Sequence, residues 1–545
     1  MVLEVIRSDH AADAVHDHNE TALAALGVGK SGAKSARVVI GFVDYGFDLL
    51  HPTLLDQKGA SRFRFLWDQN RTPGAARAIE FDPATLDDWD GAALDRAVAA
   101  AVASGSRRDL DALYDPHANN GCRHGTVGGA HGTMMASIAA GTPVSGFRGA
   151  APEADLIGVQ LALADTDWKE EDLFGSPTWA SWRPEVHTLW QGWRSYDDSR
   201  QIINAVRYIY VRSRWLGADA LVINLSIGAW AGGHDGRSAV ECAIADLIDE
   251  ADAAFAAGLG PRVIVVAGAG NAGVDEGHWH GVVETARSSN FDWIMQRRDP
   301  TQNKLEIWYE GDTLDVRLFL PDGHEIEIAP GATREICSGS TRIGIAEHAP
   351  GLRAPLSCVR ILLHPLLFGP ELFEPSADTC AFAVRLSAAH SALVAVNAWI
   401  ERDDGAAERS WLSPNHADGT LCCLATIPGA IVVSGYDHHC TVDGDTPAIL
   451  PSSSLGPAPW GAGPARIPHF AAPAHCIWGA RSKSRGFAMT TGTSAAVALT
   501  SGAIAQHFGQ HGAHAPLPQV DGAWSPRFGN GLFRIDTTER TGVFA

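Results

Sequence analysis

Short apolar runs, rich in β-branched residues and each closed by polar or glycine residues, constrain this chain most. Val38–Val43 ends at Asp44-Tyr45-Gly46, a second run covers Ala154–Leu163, ADALVINLSIG ends at Gly228, and PRVIVVAGAGN ends at Asn271. The same pattern returns at PGAIVVSGYD, Pro428–Asp437. Such runs mark strands buried on both faces of a parallel sheet. Between the third and fourth lies Ser238–Gly258, whose apolar spacing and alanine content predict a helix stopped by Gly258 and Gly260. Strand, helix and strand in repetition predict an α/β fold, with a doubly wound, mainly parallel sheet flanked by helices. In such a fold, reactive side chains belong at the C-terminal ends of strands.

After about Ser288 the pattern changes. Leu314, Val316, Leu318 and Leu320 alternate with Asp315 and Arg317, and Asp322-Gly323 turns the chain into Glu325–Ile328. This is a hairpin signature. Short strands continue through CAFAVRL and ALVAVNAWIER to about Arg402. They predict an antiparallel β-sandwich inserted into the α/β domain. The expected organisation is an α/β part over residues 1–284, a sandwich over 285–412 and a second α/β part over 413–545. A short N-terminal extension is expected over about residues 1–18.

The 63 acidic residues outnumber 42 Lys and Arg, giving a net charge of -21. That surface repels phosphate backbones, so nucleic acid is not an expected partner. No uncharged apolar stretch is long enough to span a bilayer, so no membrane is expected either. The N-terminus has no basic start followed by an apolar run, hence no secretory signal. Nine cysteines, with Cys422 and Cys423 adjacent and no CxxC, suit free thiols in a reducing compartment. A cytoplasmic location is the expectation. Trp168, Trp179, Trp182, Trp190 and Trp193 read as a satellite hydrophobic cluster, ahead of an aromatic wall beside a ligand cleft. His278 and His280, in GHWHG, lack an HExxH or thiolate framework and read as surface or structural histidines. No metal site is expected from them.

Ser494, in TTGTSAAVALTSG, opens an alanine-rich helical pattern. The positive end of a helix dipole favours oxyanion charge beside such a serine, although serine is also a routine N-cap. A nucleophilic serine needs a base, and the base an orienting acid. His-Gly-Thr occurs at His124 and again at His131. After His131, Ala136, Ile138 and Ala140 form a compact helix ending at Gly141, whereas Gly128 and Gly129 prevent a stable helix after His124. His131 is therefore the candidate base. Asp44, ending the first strand, is the candidate acid, with an ordinary turn aspartate as the competing reading. Asn271, after VIVVAGAG, can donate its amide to an oxyanion, or serve only as a turn residue.

Taken together, in the order Asp, His, Asn, Ser, these stretches resemble the subtilisin-like serine proteases, or subtilases. The resemblance rests on VVIGFVDYGFDLLHPTL, AHGTMMASIAAG, VINLSIG, VVAGAGNAG and TTGTSAAVALTSG, with weaker support from FRGAAPEADLIGVQ, HFAAPAHCIWGA and FGNGLFRID. It spans roughly residues 20–285 and 415–540. It implies Ser494 as nucleophile, His131 as general base and then acid, and Asp44 as its orienting partner. Asn271 and the Ser494 backbone N–H would form an oxyanion hole. Ser226-Ile227-Gly228 would be the substrate-binding edge, taking a peptide by β-augmentation. Ala269 and Gly270 would form the other wall of the primary side-chain pocket. Small residues there leave the pocket open, implying an apolar or uncharged P1 residue. The partner is then a peptide or protein substrate. The chemistry needs no cofactor; subtilases often bind calcium for stability, but no ligand set is identifiable in this sequence.

The placement of the insert, with RFRFLWDQN, LEIWYEGDTLDVRLFLPDG and VNAWIERDD, resembles a bacterial subgroup carrying a jelly-roll in the catalytic domain, the clostridial germination-type subtilases. Three positions depart from the family pattern. Tyr45 stands where Thr or Ser usually follows the aspartate, and Ala498 and Leu499 replace the usual Pro and frequent His after the nucleophile. The chain before Val38 leaves room for only a short N-terminal segment in place of a folding pro-domain. A catalytically degenerate binding protein and a peptide ligase or macrocyclase using the same acyl-enzyme are the alternatives. The choice between histidines is testable in a peptidase assay. His131→Ala should lower activity at least ~10³-fold, as for other triad members, and His124→Ala should change it little.

Overall fold

The apolar runs become the middle of a nine-stranded sheet among the described residues. The computed structural model describes residues 11–29, 35–86, 88–106, 130–161, 199–285, 287–296, 303–311, 314–339, 341–363, 377–388, 393–401, 409–442, 446–460 and 466–535. His124 and the tryptophans at 168–193 lie outside these residues.

The first strands are β1 (Val38–Asp44), β2 (Phe63–Asp68), β3 (Trp89–Asp90), β4 (Asp155–Gln160), β5 (Ala220–Leu225) and β6 (Arg262–Gly268). Strands β7 (His278–Glu284), β8 (Ser289–Gln296), β9 (Asn303–Glu310), β10 (Leu314–Phe319), β11 (Glu325–Ile328) and β12 (Thr333–Ser338) follow. Then come β13 (Thr341–Arg353), β14 (Leu356–Leu363), β15 (Thr379–Ala388), β16 (Leu393–Ile400) and β17 (Ser410–Ser413). Chain order returns to the first sheet with β18 (Ile431–Thr441), β19 (Pro447–Ile449) and β20 (Phe470–Pro473).

The large sheet runs β19-β18-β6-β5-β1-β4-β2-β3, with β20 also on β18. All its pairs are parallel except β2–β3 and β18–β19. From β1 the chain first builds one side, β2 and β4, then crosses to build β5 and β6 on the other. The reversal creates a crevice at the C-terminal ends of β1 and β5, where α/β sheets place their ligands. Every residue of β1 is buried, as its unbroken apolar run requires.

Helices cover both faces. The predicted Ser238–Gly258 helix spans Ala239–Ala256, opened by a capping box between Ser238 and Glu241 and followed by Gly258 at φ +70. The helix His131–Ala140 packs against the helix Thr493–His511 in the core. That contact is made backbone to backbone. A Cβ on Gly502 would stand 2.3 Å from the Ala139 carbonyl oxygen, so no larger residue fits. Among the described residues, no helix is long and apolar enough to cross a membrane. An N-terminal helix, Ala11–Ala25, runs through residue 18 without a break, and Ala22, Leu23 and Leu26 enter the main core.

Two antiparallel sheets follow β6: β11-β10-β15-β8-β17 and β12-β13-β14-β9-β16-β7. They face each other over one apolar core that includes Trp279, Phe291, Trp293, Leu305, Tyr309 and Phe382. The alternation over Leu314–Leu320 is realised, and Val316 pairs with Ile328 across the hairpin. These sheets begin before residue 285, since β7 pairs along its length with β16. His278 and Trp279 are both buried, which blurs the period-2 signal at that strand.

The second face of the six-stranded sheet is buried too, by Trp308, Leu356, Cys358 and Trp399, with Trp460 packed on them. Glu306 lies fully buried there, 3.0 Å from Lys304 Nζ and 3.4 Å from Arg360 Nε, and accepts from Trp308 Nε1 at 2.9 Å. Burial alone would raise its pKa, but the two cations and their hydrogen bonds bring it down to about 2. Its charged form therefore stabilises the fold fully above the unfolded carboxyl value, and the contribution fades as pH falls towards 2. Glu306→Gln should cost about 3–5 kcal/mol by urea unfolding at neutral pH, because it strands buried cations. The variant's melting temperature should also fall less steeply than the parent's as the pH is lowered from about 5 to 3.

Candidate active site

Asp44 closes β1 and is fully buried. A buried carboxylate needs hydrogen-bonded partners. Its Oδ1 accepts from Tyr45 N at 2.6 Å and meets His131 Nδ1 at 2.7 Å. The contact fixes the ring, with the Nδ1 proton facing the carboxylate and Nε2 turned away.

His131 is carried to this position by the two residues that follow it. Gly132 N donates to Tyr45 O at 2.8 Å. The Thr133 hydroxyl donates to Gly46 O at 3.2 Å and accepts from Asp48 N at 2.7 Å. A Cβ on Gly132 would stand 2.8 Å from both Gly46 O and the Phe47 ring. The His-Gly-Thr tripeptide is thus one interlocking unit: Gly allows the approach, Thr locks it, and His gains its direction. The Tyr45 departure leaves this support intact, since Tyr45 acts through its backbone N–H and C=O. Gln160 adds a further brace, its side-chain oxygen accepting from Gly46 N at 2.8 Å.

Ser494 is the second residue of the helix Thr493–His511, and its Oγ donates to Ser226 O at 3.2 Å. Ala498 and Leu499 are buried in the same helix. Asn271 follows β6 and reaches the start of this helix. Its Oδ1 accepts from Thr493 N at 2.8 Å and from the Thr493 hydroxyl at 3.1 Å. The backbone donor settles the amide orientation and leaves Nδ2 as the donor end beside the Gly492 turn. Asp44 and His131 therefore meet directly, and Asn271 and the Ser494 helix meet through Thr493. Asp44 and Asn271 stand at or after the C-terminal ends of strands of one sheet, and His131 and Ser494 on two helices packed together.

Ser226-Ile227-Gly228 continue from β5, and Ala269-Gly270-Asn271 continue from β6. The space between these walls is not open at its base. Cys422 N donates to Ala269 O at 2.8 Å, and Cys423 N donates to Ala229 O at 2.7 Å, so this segment is stitched to both sides. A Cβ on Gly228 would lie 3.1 Å from Cys422 Cβ and Sγ, and one on Gly270 would lie 3.2 Å from Cys422 Cβ. Cys422 is 2 % exposed, and burial pushes its thiol up to about 12, so the group is neutral. The adjacent cysteines are conspicuous in the sequence, but nothing local ties them to segments about 150 and 190 residues away.

His278 stands apart from this site. Its Nδ1 meets Asp418 O at 2.6 Å, its Nε2 meets Asn397 Oδ1 at 3.0 Å, and burial holds its pKa down at about 4. Both nitrogens are engaged by the protein. Among the described residues, no group of three or more His, Cys, Asp or Glu side chains is placed to hold a metal ion.

Residues 35–291 match the subtilase family, Peptidase_S8, a range that holds Asp44, His131 and Asn271 and ends before Ser494. No curated protein matches the chain. The Clostridium perfringens CspB protease has the same fold, with a TM-score of 0.64 at 18% identity over 96% of each chain. Sphericase is similar at 12% identity and a TM-score of 0.41, over 96% of this chain and 97% of its own. The patellamide maturation protease PatG is similar at 12% identity and a TM-score of 0.36, over 97% of this chain and 95% of its own. Over residues 35–291 the chain is similar to the subtilase family of serine proteases, whose substrates are peptides or proteins.

Proposed function

We propose that the chain is a serine endopeptidase working through an acyl-enzyme on Ser494. The observation that carries this reading is the 2.7 Å contact between His131 Nδ1 and the buried Asp44 carboxylate. A peptide lies along Ser226-Ile227-Gly228, using main-chain hydrogen bonds. Ser494 Oγ turns from the Ser226 carbonyl to His131, gives its proton to Nε2 and attacks the scissile carbonyl carbon. Asp44 stabilises the imidazolium that forms. The Asn271 Nδ2 amide and the Ser494 backbone N–H donate to the oxyanion. As the C–N bond breaks, His131 returns the proton to the leaving amine. Water, deprotonated by His131, then opens the ester and restores Ser494. The scheme is complete with the chain's own groups.

A fluorophosphonate should label the parent protein and fail to label Ser494→Ala. An unlabelled parent protein would favour the binding-protein alternative. Capture of the acyl group by an added amine in preference to water would favour the ligase.

The pocket geometry narrows P1. With Cys422 between Gly228 and Gly270, the pocket takes a small, uncharged side chain in place of the range an open pocket would admit. Cleavage of a peptide library should favour P1 Ala, Ser or Gly. Cys422→Gly should raise the rate for P1 Leu or Phe relative to P1 Ala by about 10-fold or more.

A further inference from the structure

The loop that leaves the proposed substrate edge is held from outside the α/β body. Glu401 directly follows β16 of the sandwich. Its Oε1 accepts from Trp230 N at 2.9 Å and its Oε2 from Ala231 N at 3.3 Å. One carboxylate thus takes two consecutive backbone N–H groups, two to three residues beyond Gly228. Charge-assisted bonds of this kind are stronger and more directional than neutral ones. Glu401 is itself pinned, its N donating to Lys304 O at 2.9 Å.

Neighbouring contacts have the same sense. Trp399 of β16 stacks on His234, with ring centroids 4.0 Å apart, and His234 Nε2 meets Trp230 O at 2.8 Å. Arg353, closing β13, pairs with the buried Asp235 at 3.1 Å. The sandwich therefore grips the loop at Trp230, Ala231, His234 and Asp235. The upstream end of the edge is anchored differently, because β5 lies inside the parallel sheet.

A segment that adds a peptide by β-augmentation must keep its own N–H and C=O groups presented in register. Residues 226–228 can be held that way only if both flanks are fixed. We propose that Glu401 is a positioning residue for extended peptide substrates, through which the inserted sandwich sets the register of the substrate-binding edge. This rests on the reading of Ser226-Ile227-Gly228 as that edge. Glu401 bonds the backbone of Trp230 and Ala231, beyond the proposed P1 wall at Gly228, so its effect should grow with substrate length.

The test compares Glu401→Gln with the parent on a six-residue peptide and on a single-residue ester with the same P1 side chain. Gln keeps the shape but presents an NH2 group to one of the two N–H donors. KM for the peptide should rise about 10-fold, the range expected for a hydrogen bond to a charged group, with kcat nearly unchanged. Ester turnover and the rate of fluorophosphonate labelling should match the parent, which also reports an intact fold. Glu401→Asp, which keeps the charge but shortens the reach, should give the same KM-only loss. Val316→Ala, which weakens the sandwich core in β10 of the other sheet, should leave KM for the peptide unchanged below its melting temperature. Equal losses on peptide and ester, or no loss on either, would overturn the assignment while labelling still upheld the protease reading. A parent protein that neither labels nor cleaves would overturn both.

Discussion

A carboxylate kept from solvent at the end of the central strand is the constraint around which this protein is built. Asp44 must have partners, and one of them arrives from a helix 87 residues away in sequence. That helix can reach it only because Gly132 lets the backbones touch at Gly46. The helix must also be pressed inward, and Gly502 on the Ser494 helix provides the fit from the other side. The Asp44–His131 contact, the two close approaches and the crevice at the strand ends are consequences of one packing arrangement.

The sandwich is more than an appendage to that arrangement. Its six-stranded sheet is buried on both faces, one in its own core and one towards the α/β body. A sheet with two buried faces cannot hinge freely, since any rotation would expose Trp308 and Trp399 to water. The polar contacts at Glu401 and Arg353 therefore stand on a rigid base. This is what allows a side chain so far along the chain to define the position of a loop in another sheet.

Much of this was legible in the sequence, and the reason is local. The strands β1, β4, β5, β6 and β18 are continuous apolar runs, which is how doubly buried strands read. The Ser238–Gly258 helix was legible from its apolar spacing and alanine content, and its stop from Gly258 and Gly260. The helix after His131 was legible from Ala136, Ile138 and Ala140, and it spans His131–Ala140. The misreadings are equally physical. β7 lacks clean alternation because two neighbouring side chains are both buried, so the sandwich seemed to start later. Between the small residues proposed to wall the P1 pocket lies the Cys422 side chain, which comes from beyond the sandwich and leaves no local sequence mark. Glu401 was invisible for the same reason: a contact between residues 401 and 230 leaves no periodic mark. Tyr45 departs from the family pattern, and its backbone N–H and C=O still support Asp44 and the His131 helix.

The order of the groups along the chain has a consequence for synthesis. Asp44, His131 and Asn271 all precede the sandwich, and Thr493 and Ser494 follow it, Thr493 lying 222 positions after Asn271. At ~5–20 residues per second, a ribosome takes roughly 10–45 s to cross that interval. Throughout it the nascent chain carries the aspartate, the histidine and the amide without a hydroxyl to activate. Under the proposed assignment, proteolytic competence arrives only after the sandwich has been made. On that assignment the insert delays the proposed nucleophile until the sandwich proposed to position the substrate edge has been made.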